Sequence, residues 1–293
     1  MAAFVKHVYL SHSKKSTMQV CGRMFKEKYI LRREARAKSA NLGFGSAIHS
    51  GCAAVLTGQI LGVDVDPVPV FEQEWSEFTS KNAVAYSSLW SEEKLMATGR
   101  VLLQKFVEDW KTRGWTPAVD PDGNPLVELE LKVKLPGNIT FTAIIDAIVI
   151  DEHGRYLVLD FKTPAQAALE GFATLSDQLL GYQVAVDAFK DELGIPGVGG
   201  LVFYEMIKRP LPKTARGEGP KIHVEEPALP RSNDEVAEWI WEAQCVADDI
   251  RKERFSKRPM DSYNTPCSLC DFQKSCMGLG DADLVSKPSR FAA

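Results

Sequence analysis

The central part of the chain alternates between hydrophobic and polar positions, as the strands of a half-buried sheet do. Residues 126–135 alternate strictly, and residues 139–150 and 155–162 are rich in β-branched and aromatic residues, which favour strands. Two later segments, 200–207 and 221–224, are further strand candidates. The pattern predicts that the first three strands follow one another directly and that the others come after an intervening helix.

Apolar residues recur at helical spacing on both sides of these strands. The longest case has Leu95, Leu102, Phe106 and Trp110 on one face, which predicts an amphipathic helix. The predicted helices span residues 16–38, 45–56, 71–78, 91–113, 176–193 and 233–254. This order of elements predicts an α/β core with a helical N-terminal elaboration and a small C-terminal cap. The predicted boundaries are 1–120 for the N-terminal region, 121–230 for the core and 231–293 for the C-terminal helix and cap.

The composition is that of an ordinary globular protein. The chain has 293 residues, of which 45% are hydrophobic and 25% are charged, and this excludes wholesale disorder and fibrous structures. No segment approaches the ~20 apolar residues of a membrane-spanning helix, because Asp146 interrupts the most apolar strand. The N-terminus does not resemble a signal peptide. We therefore expect a soluble, cytoplasmic protein that makes no membrane contact.

The net charge of −4 conceals two basic segments. Residues 1–38 carry ten Lys or Arg against two Glu, and residues 208–221 carry five cations against one acid. Local positive charge on an acidic chain suits a protein that binds a phosphate backbone. A solvated helix face and a mobile loop explain the same charges equally well. The candidate DNA-binding residues are Arg32, Arg33, Arg36, Lys208 and Arg209.

A short turn between the second and third strands sets the register of a hairpin. Residues 152–154 form a three-residue loop in which Gly154 takes the left-handed conformation. This loop places Asp146 directly opposite Asp160. Lys162 lies two residues beyond Asp160 and therefore shares its face of the sheet.

The preceding turn brings a third carboxylate to the same face. With a three-residue loop at 136–138, Glu128 lies opposite Asp146. Opposed carboxylates destabilise a sheet unless a cation lies between them, which predicts a Mg²⁺ or Mn²⁺ site with Lys162 beside it. The alternative is a loop that differs by one residue, which would separate the two aspartates onto opposite faces. Asp160 would then cap a strand end and Lys162 would be its surface partner.

The cysteines are unevenly distributed along the chain. Cys267, Cys270 and Cys276 form a C-x2-C-x5-C cluster near the end of the sequence. Without a secretory signal a disulfide framework is not expected, and clustered thiolates indicate a metal.

Several of these residues stand in the order of a known family. Asp146 followed by Asp160-Phe161-Lys162 resembles the catalytic core of the PD-(D/E)XK nuclease superfamily. His49, at the end of the segment 45–49, is similar to the G-x-x-x-H helix of its RecB-like branch. Gln178 and Tyr182 resemble the Q-x-x-x-Y helix of that branch. Cys21 with the three clustered cysteines resembles its iron–sulfur subset, which includes the AddB nuclease domain and CRISPR-associated single-strand exonucleases. The resemblance covers residues 21–276.

The resemblance implies a fold, an activity and residue roles. The fold would be a restriction-endonuclease-like mixed sheet flanked by helices, with a C-terminal cysteine cap, in one compact nuclease domain. The activity would be hydrolysis of DNA phosphodiesters by a metal-activated water. The implied metal ligands are His49, Asp146, Asp160 and the carbonyl of Phe161, with Glu128 as an accessory carboxylate. Lys162 would position the water and stabilise charge on the phosphate. Gln178 and Tyr182 would contact DNA or brace the lysine, unless they are only a polar pair at the edge of the core.

The implied cysteine site is one of three clustered ligands and one distant ligand. Zinc sites usually bring their cysteines in two close pairs, whereas the arrangement of Cys21 with Cys267, Cys270 and Cys276 is common for [4Fe–4S] clusters. Tetrahedral zinc is the alternative metal.

Two other functions remain compatible with the sequence. One is a catalytically silent nucleic-acid-binding or scaffold protein on the same fold, although the set of His49, Asp146, Asp160 and Lys162 is complete. The other is a nuclease subunit in a complex for CRISPR adaptation or recombination. The chain contains no G-x-x-x-x-G-K-[ST] motif, so any ATP-driven unwinding would come from a helicase partner. The leading prediction is an exonuclease acting on single-stranded DNA or DNA ends.

Overall fold

The computed structural model describes residues 6–214, 216–258 and 265–287. Its residues divide into two compact units. The central unit consists of Lys38–Leu131 and Ala143–Val236. The terminal unit consists of the described residues up to Ala37, of Lys132–Thr142 and of the described residues from Ala237 onward. Each unit is therefore assembled from segments that are not contiguous in the sequence.

Strands and helices follow one another along the whole described chain. The strands are β1 Val8–Ser11, β2 Arg33–Ala35, β3 Ala37–Ser39, β4 Ala83–Ala85, β5 Thr116–Pro117, β6 Val127–Leu135, β7 Ile139–Ile150, β8 Tyr156–Lys162, β9 Gly200–Ile207, β10 Lys221–Val224 and β11 Leu284–Ser286. The α-helices are α1 His12–Val20, α2 Gly22–Phe25, α3 Ala40–Leu61, α4 Pro67–Lys81, α5 Glu92–Arg113, α6 Phe172–Leu175, α7 Asp177–Leu193, α8 Asn233–Arg251 and α9 Gln273–Cys276. A π-helix covers Lys26–Ile30 and a 3₁₀ helix covers Pro266–Leu269. Within the described residues, no helix has both the length and the apolar character needed to cross a membrane.

The hairpin of β7 and β8 has the predicted register. Ala147 pairs with Leu159, and the following pairs continue in step to the end of β7. Gly154 has the predicted left-handed backbone, with φ of 75°. Asp146 and Asp160 are the next residues in this register, so the expected opposition of the two aspartates follows from the observed pairing.

The sheet of the central unit contains both strand directions. The strand β8 pairs antiparallel with β7 and parallel with β9, and β10 pairs antiparallel with β9. The parallel register places Asp160 beside Phe203 and Lys162 beside Glu205. The predicted α/β class, with a mixed central sheet flanked by helices, is confirmed.

Successive residues of β8 point to opposite faces of this sheet, and a helix packs on each face. On one face Phe161 is 1% exposed, and its ring lies 5.7 Å from that of Phe106 on α5 and 5.5 Å from that of Tyr204. On the other face Asp160 meets Tyr182 of α7. Alternation along one strand therefore separates an aromatic core from a polar site.

The helices that flank the sheet begin at hydroxyl caps. Ser91 accepts a hydrogen bond from the third residue of α5, and Ser176 does the same for α7, which satisfies a backbone donor that the helix leaves free. The helices α4 and α5 pack closely at Gly99, where a Cβ atom would lie 2.2 Å from the ring of Phe71. These caps explain why the predicted starts of both helices agree with the structure.

Two helices of the central unit are longer than predicted. The helix α3 begins at Ala40 rather than residue 45, after a cap by Ser39. The helix α4 begins at Pro67, where Asp66 accepts a hydrogen bond from Val68. Proline is favoured in the first turn because its missing N–H would have no helical partner there. Pro67 and Pro69 therefore belong to the start of α4.

The prediction of one helix over residues 16–38 is wrong. The helix α1 begins after Ser11, which caps it, and is interrupted at Cys21, whose backbone is extended. The helical segment ends at Ile30, and Arg32 has φ of 54°, which no helix tolerates. The next residues form β2, which pairs with β11 from the far end of the chain. A partner so distant in sequence leaves no periodic signal in the N-terminal segment.

The terminal unit has a small core of its own. The strand β1 pairs in parallel with the first residues of β7, beginning with Val8 and Ile139. Lys15 is fully buried, donates to Glu242 at 2.6 Å and lies 5.2 Å from the ring of Trp239. A buried ammonium is tolerated because it has both a carboxylate partner and an aromatic face.

Candidate active site

Five elements of the central unit bring the predicted polar residues together. The contributing residues are His49 on α3, Glu128 on β6, Asp146 on β7, Asp160 and Lys162 on β8, and Gln178 and Tyr182 on α7. All of them lie within the two segments of the central unit. The site is therefore built by the sheet and by the helices that pack on it.

One group of three side chains has the spacing of a metal site. One ligand atom each from His49, Glu128 and Asp146 lies within 4.8 Å of the others, and the His49 Nδ1 to Asp146 Oδ2 distance is 3.4 Å. Ligand atoms around one Mg²⁺ are at most ~4.2 Å apart for bonds of ~2.1 Å, which is close to this spacing. The two carboxylates suit Mg²⁺ or Mn²⁺, whereas the imidazole is a better ligand for transition metals than for Mg²⁺.

The backbone of Glu128 is unusual within its strand. Its φ is 51°, a value that non-glycine residues rarely adopt. Such conformations persist where the surrounding structure maintains them, and they concentrate at functional sites. Here the result is that the carboxylate of Glu128 joins His49 and Asp146.

The carboxylate of Asp146 is oriented by the neighbouring strand. Its Oδ2 atom accepts a hydrogen bond of 2.6 Å from the backbone N–H of Phe161. The same oxygen faces His49. Because both contacts involve one oxygen, the hairpin register and the position of α3 together determine where this carboxylate points.

Asp160 is the centre of a second, buried network. Its Oδ1 atom accepts hydrogen bonds from Gln178 Nε2 at 2.7 Å and from the Tyr182 hydroxyl at 3.3 Å. Its Oδ2 atom is buried and forms an ion pair with the ammonium of Lys162. A carboxylate oxygen has two lone pairs, so this oxygen can bind a metal ion in addition to the ammonium.

Gln178 links the two charged residues of β8. Its amide oxygen accepts from Lys162 Nζ at 2.9 Å, and its amide nitrogen donates to Asp160 and to the Tyr182 hydroxyl. Burial, and then the charge of Asp160, raise the pKa of Tyr182 well above its usual value. Tyr182 therefore remains a neutral hydroxyl, and it braces Asp160 rather than facing solvent, since it is buried.

The pKa shifts show that the site holds an excess of negative charge. Burial raises the pKa of Asp160, the Lys162 charge opposes this rise, and the charge of Asp146 adds to it. Local desolvation, and then Asp146, raise the pKa of Glu128. Desolvation lowers the pKa of His49, but its hydrogen bond to Asp146 and the nearby carboxylates raise it overall. An added divalent cation would offset this repulsion.

Glu205 is a neighbour of the site that the sequence reasoning missed. It lies beside Lys162 in the β8–β9 register, is 6% exposed and accepts a hydrogen bond of 3.0 Å from the N–H of Ala168. The signal that could have identified it is a single charged residue in the otherwise apolar and aromatic strand β9. Charged residues are rarely buried in such strands without a function or a partner.

The proposed DNA-binding cations differ in how accessible they are. Lys208 is 6% exposed, donates to Asn41 and lies 5.1 Å from the ring of Phe44. Its ammonium is enclosed by an amide and an aromatic ring, which leaves little of it accessible, so a contact with phosphate stays a prediction. Arg209 forms an ion pair with Glu218, which reduces the positive charge that it offers to DNA.

Of the N-terminal cations, one is held inside the terminal unit and one is exposed. Arg33 forms ion pairs with Glu27 at 3.1 Å and Asp281 at 3.2 Å. Arg36 is exposed, and Arg32, at the left-handed position, is half-buried. The basic segment is thus partly neutralised by acidic residues of its own unit.

The four cysteines of the implied metal site lie in the terminal unit and are half-buried. They are Cys21, Cys267, Cys270 and Cys276. Burial raises the pKa of the Cys270 thiol, and the nearby Cys21 and Cys267 raise it further. The thiols of Cys21 and Cys267 are thus close enough to Cys270 to act on its charge. Among the residues that the structure describes, however, the cysteines do not form a group with ligand atoms within 4.8 Å of one another.

Comparison with known proteins identifies the family. A family model described as the PD-(D/E)XK nuclease superfamily matches residues 9–277. A solved structure described as the crystal structure of SSO0001 is similar over 86% of this chain and 89% of its own. The sequence identity is 12% and the TM-score is 0.33, values too low to support a conclusion about this chain. No curated protein matches the chain. Because the family match covers most of the sequence, the chain belongs to the PD-(D/E)XK nuclease superfamily.

Proposed function

We propose that this member of the PD-(D/E)XK nuclease superfamily is a Mg²⁺- or Mn²⁺-dependent deoxyribonuclease that acts as an exonuclease on single-stranded DNA or on DNA ends. One observation carries the proposal: the group of His49, Glu128 and Asp146 lies next to a lysine that is hydrogen-bonded into position. Cation ligands and a positioned ammonium are the groups that phosphodiester hydrolysis requires.

The residues have distinct roles in this proposal. His49, Glu128 and Asp146 would hold the cation, and Asp160, whose Oδ2 atom is paired with Lys162, would be a further ligand. A bound divalent cation supplies Lewis-acid chemistry, which lowers the pKa of water and neutralises charge on the phosphate. Lys162 donates hydrogen bonds to the attacking water and to the phosphate oxygens.

Gln178 is a positioning residue in the same proposal. It holds the ammonium of Lys162 through its amide oxygen and the carboxylate of Asp160 through its amide nitrogen. One side chain thereby fixes the distance between the cation ligands and the lysine. Such fixed geometry contributes to rate because misplacement of a reacting group by ~1 Å can cost ~100-fold.

We also propose that the chain belongs to the RecB-like branch and binds one [4Fe–4S] cluster through Cys21, Cys267, Cys270 and Cys276. The support is the three-plus-one spacing of the four cysteines along the sequence and their common place in the terminal unit. Any unwinding of duplex DNA would come from a partner helicase, and a CRISPR-adaptation complex is a setting in which such a nuclease acts. Cytoplasmic location is part of the same proposal.

The proposed activity is tested with end-labelled single-stranded and double-stranded DNA. Purified protein is incubated with Mg²⁺, with Mn²⁺ or with EDTA, and the products are resolved on a denaturing gel. We expect cleavage of the single strand that begins at an end, requires either metal and is absent from an Asp146→Asn variant. A covalently closed single-stranded circle is the control for the exonuclease mode, and its cleavage would show an endonuclease. Binding of DNA without cleavage under every condition would favour the silent scaffold instead.

A further inference from the structure

A groove beside Lys162 is not used by any of the roles proposed above. Its volume is about 410 Å³, and its lining includes Lys162, Phe172, Phe203 and Glu205. This volume lies within the ~300–1,000 Å³ typical of sites that bind small organic groups. Because Lys162 lines the groove, the groove begins where the scissile phosphate would lie.

Two phenylalanines form an aromatic surface in this groove. The rings of Phe172 and Phe203 are stacked, with centroids 5.8 Å apart and an interplanar angle of 26°. Phe172 is 47% exposed, and Lys162 Nζ lies 5.4 Å from the ring of Phe203. An exposed aromatic surface next to a cation is the arrangement on which nucleobases stack in proteins that bind single strands.

The strand register explains why this surface adjoins the proposed catalytic residues. In the parallel pairing of β8 and β9, Phe203 lies beside Asp160 and Glu205 lies beside Lys162. Paired residues of neighbouring strands point to the same face. The aromatic surface and the residues of β8 therefore share one face of the sheet.

The charge in the groove favours a base over a phosphate. Glu205 is buried, and its carboxylate accepts from the N–H of Ala168 at 3.0 Å while His223 lies 3.8 Å away. A carboxylate repels a phosphate, but it can accept hydrogen bonds from the amino groups of adenine, cytosine or guanine. The walls of the groove are thus apolar and aromatic, and the carboxylate of Glu205 at its side is a hydrogen-bond acceptor.

We infer that the groove is a subsite for one unpaired nucleobase, which stacks on Phe172 and Phe203 next to the phosphate that is cleaved. The inference rests on the proposed function and restricts its substrate to DNA with an unpaired base at this position. A base inside a duplex is paired and stacked on its neighbours, so it cannot enter the groove. The substrate at this subsite is therefore a single strand or a frayed end.

The test measures stacking directly, in a background that does not cleave. An Asp146→Asn protein is titrated with a single-stranded oligonucleotide that carries 2-aminopurine, whose fluorescence falls when the base stacks. We expect quenching on binding. In the Asp146→Asn/Phe172→Ala protein we expect the quenching to be lost and Kd to rise about tenfold, the loss typical of one base–aromatic stack. Phe172→Tyr retains a flat ring and should retain both signals.

A matched control and an altered strand make the result specific. Leu175 is 84% exposed and belongs to the same helix as Phe172, so Leu175→Ala removes exposed apolar surface without touching the groove. An oligonucleotide with abasic positions should bind the Asp146→Asn protein about tenfold more weakly than a normal strand. It should show no further loss with Phe172→Ala, because both changes remove the same contact. Circular dichroism and thermal melting verify that each variant is folded, and Phe172→Leu is a second variant that preserves bulk.

The possible outcomes separate this inference from the proposed function. If the Asp146→Asn protein binds no oligonucleotide, the proposed function is overturned and the subsite with it. If it binds single strands and Phe172→Ala changes neither Kd nor quenching, the subsite alone is overturned. The exposed rings would then be a surface for a protein partner. If duplex and single strand quench equally, the requirement for an unpaired base is wrong.

Discussion

The site around the β7–β8 hairpin and the cysteine region present their polar groups in different ways. In the hairpin site, Asp146, Asp160 and Lys162 project from paired strands, and Gln178 hydrogen-bonds two of them. In the cysteine region, Cys267 and Cys276 lie on helical turns of only four residues each, with no buried residue in either. The sheet and its core hold the first region, whereas the two short helices of the second bury none of their own residues.

This difference indicates whether a bound metal would contribute to the function or to the stability of each region. The carboxylates of the hairpin site are positioned by protein contacts alone, so that a cation would add function more than structure. The short cysteine elements cannot bury enough apolar surface to be stable independently. A bound cluster would then be a cross-link, and its loss would be a loss of folding free energy. The following experiments test this contrast.

The largest expected effect is on catalysis, at Lys162. Lys162→Met retains most of the side-chain length but removes the ammonium that lies against Asp160 and Gln178. We expect the cleavage rate to fall by about 10²–10³, as when one positioned donor is removed from a transition state. The melting temperature should change little. The rate is measured with end-labelled single-stranded DNA in Mn²⁺.

Lys190→Met is the matched control, because Lys190 is an exposed lysine in the last turn of α7. It should cleave at the wild-type rate. Equal rates for Lys162→Met and Lys190→Met would remove Lys162 from the proposed mechanism.

The second effect is on stability, in the cysteine region. Protein purified without oxygen should be brown, and Cys276→Ser should bleach it. Closing a chain of more than 200 residues between Cys21 and Cys267 is worth ~5–6 kcal/mol on the cross-link entropy model. We expect a fall in melting temperature of about 10 °C, with activity lost only to the extent that the protein unfolds.

The control is Cys245→Ser, since Cys245 is an exposed cysteine outside the proposed ligand set. It should retain both the colour and the melting temperature. Colourless protein that contains one equivalent of zinc would replace the iron–sulfur assignment, and a bleached Cys276→Ser protein with an unchanged melting temperature would exclude the cross-link.

A smaller effect is expected at Gln178, which positions other residues and touches no substrate in the proposal. Gln178→Leu removes the hydrogen bonds to Lys162 and Asp160. We expect a fall of about 10–100-fold in kcat, as is typical of side chains that orient ligands, with little change in KM. Gln104→Leu, at an exposed position on α5, is the control. A change confined to KM would indicate that Gln178 contacts the DNA instead.

The smallest effect is on the stability that the β7–β8 hairpin contributes, and this effect depends on pH. Asp151 accepts hydrogen bonds from the backbone N–H groups of His153 and Arg155 and from the Arg155 guanidinium. Although burial raises the pKa of Asp151, these hydrogen bonds lower it overall. Asp151→Ala should reduce the free energy of unfolding by ~1–2 kcal/mol near neutral pH.

The sign of the pH dependence follows from the lowered pKa. Stability from Asp151 is fully present above its unfolded-state pKa of ~3.9 and is lost as the pH falls through the lower folded-state value. The unfolding curves of the wild type and of Asp151→Ala should therefore converge only in acid. They are measured by urea denaturation at several pH values, and a difference that persisted unchanged in acid would show that the carboxylate charge is not the cause.

The hairpin was predictable because its information is local. The turn at Gly154 and the alternating apolar residues of β7 and β8 specify a register without reference to the rest of the chain. The limits of β7 and β9 were predicted for the same reason, since apolar runs bounded by turn residues define them.

Features that depend on distant contacts were not predictable. The strand β2 is extended because β11 pairs with it, and nothing near Arg33 in the sequence signals this partner. Lys208 seemed to belong to a basic loop, but Phe44 and Trp90 enclose its ammonium. The turn at residues 136–138 predicted the place of Glu128 beside Asp146, but no residue pattern encodes its positive φ of 51°.

The position of Phe161 has a consequence for sequence variation. Its side chain is the middle letter of the motif Asp160-Phe161-Lys162, which the chemistry leaves free to vary. In this chain it is packed among the rings of His49, Phe106 and Tyr204. Replacing it by a small residue would open a cavity directly behind two site residues, at a cost of ~3–5 kcal/mol. The packing of the core therefore restricts which residues can replace Phe161. A substitution there should be tolerated only when Phe106 or Tyr204 changes with it.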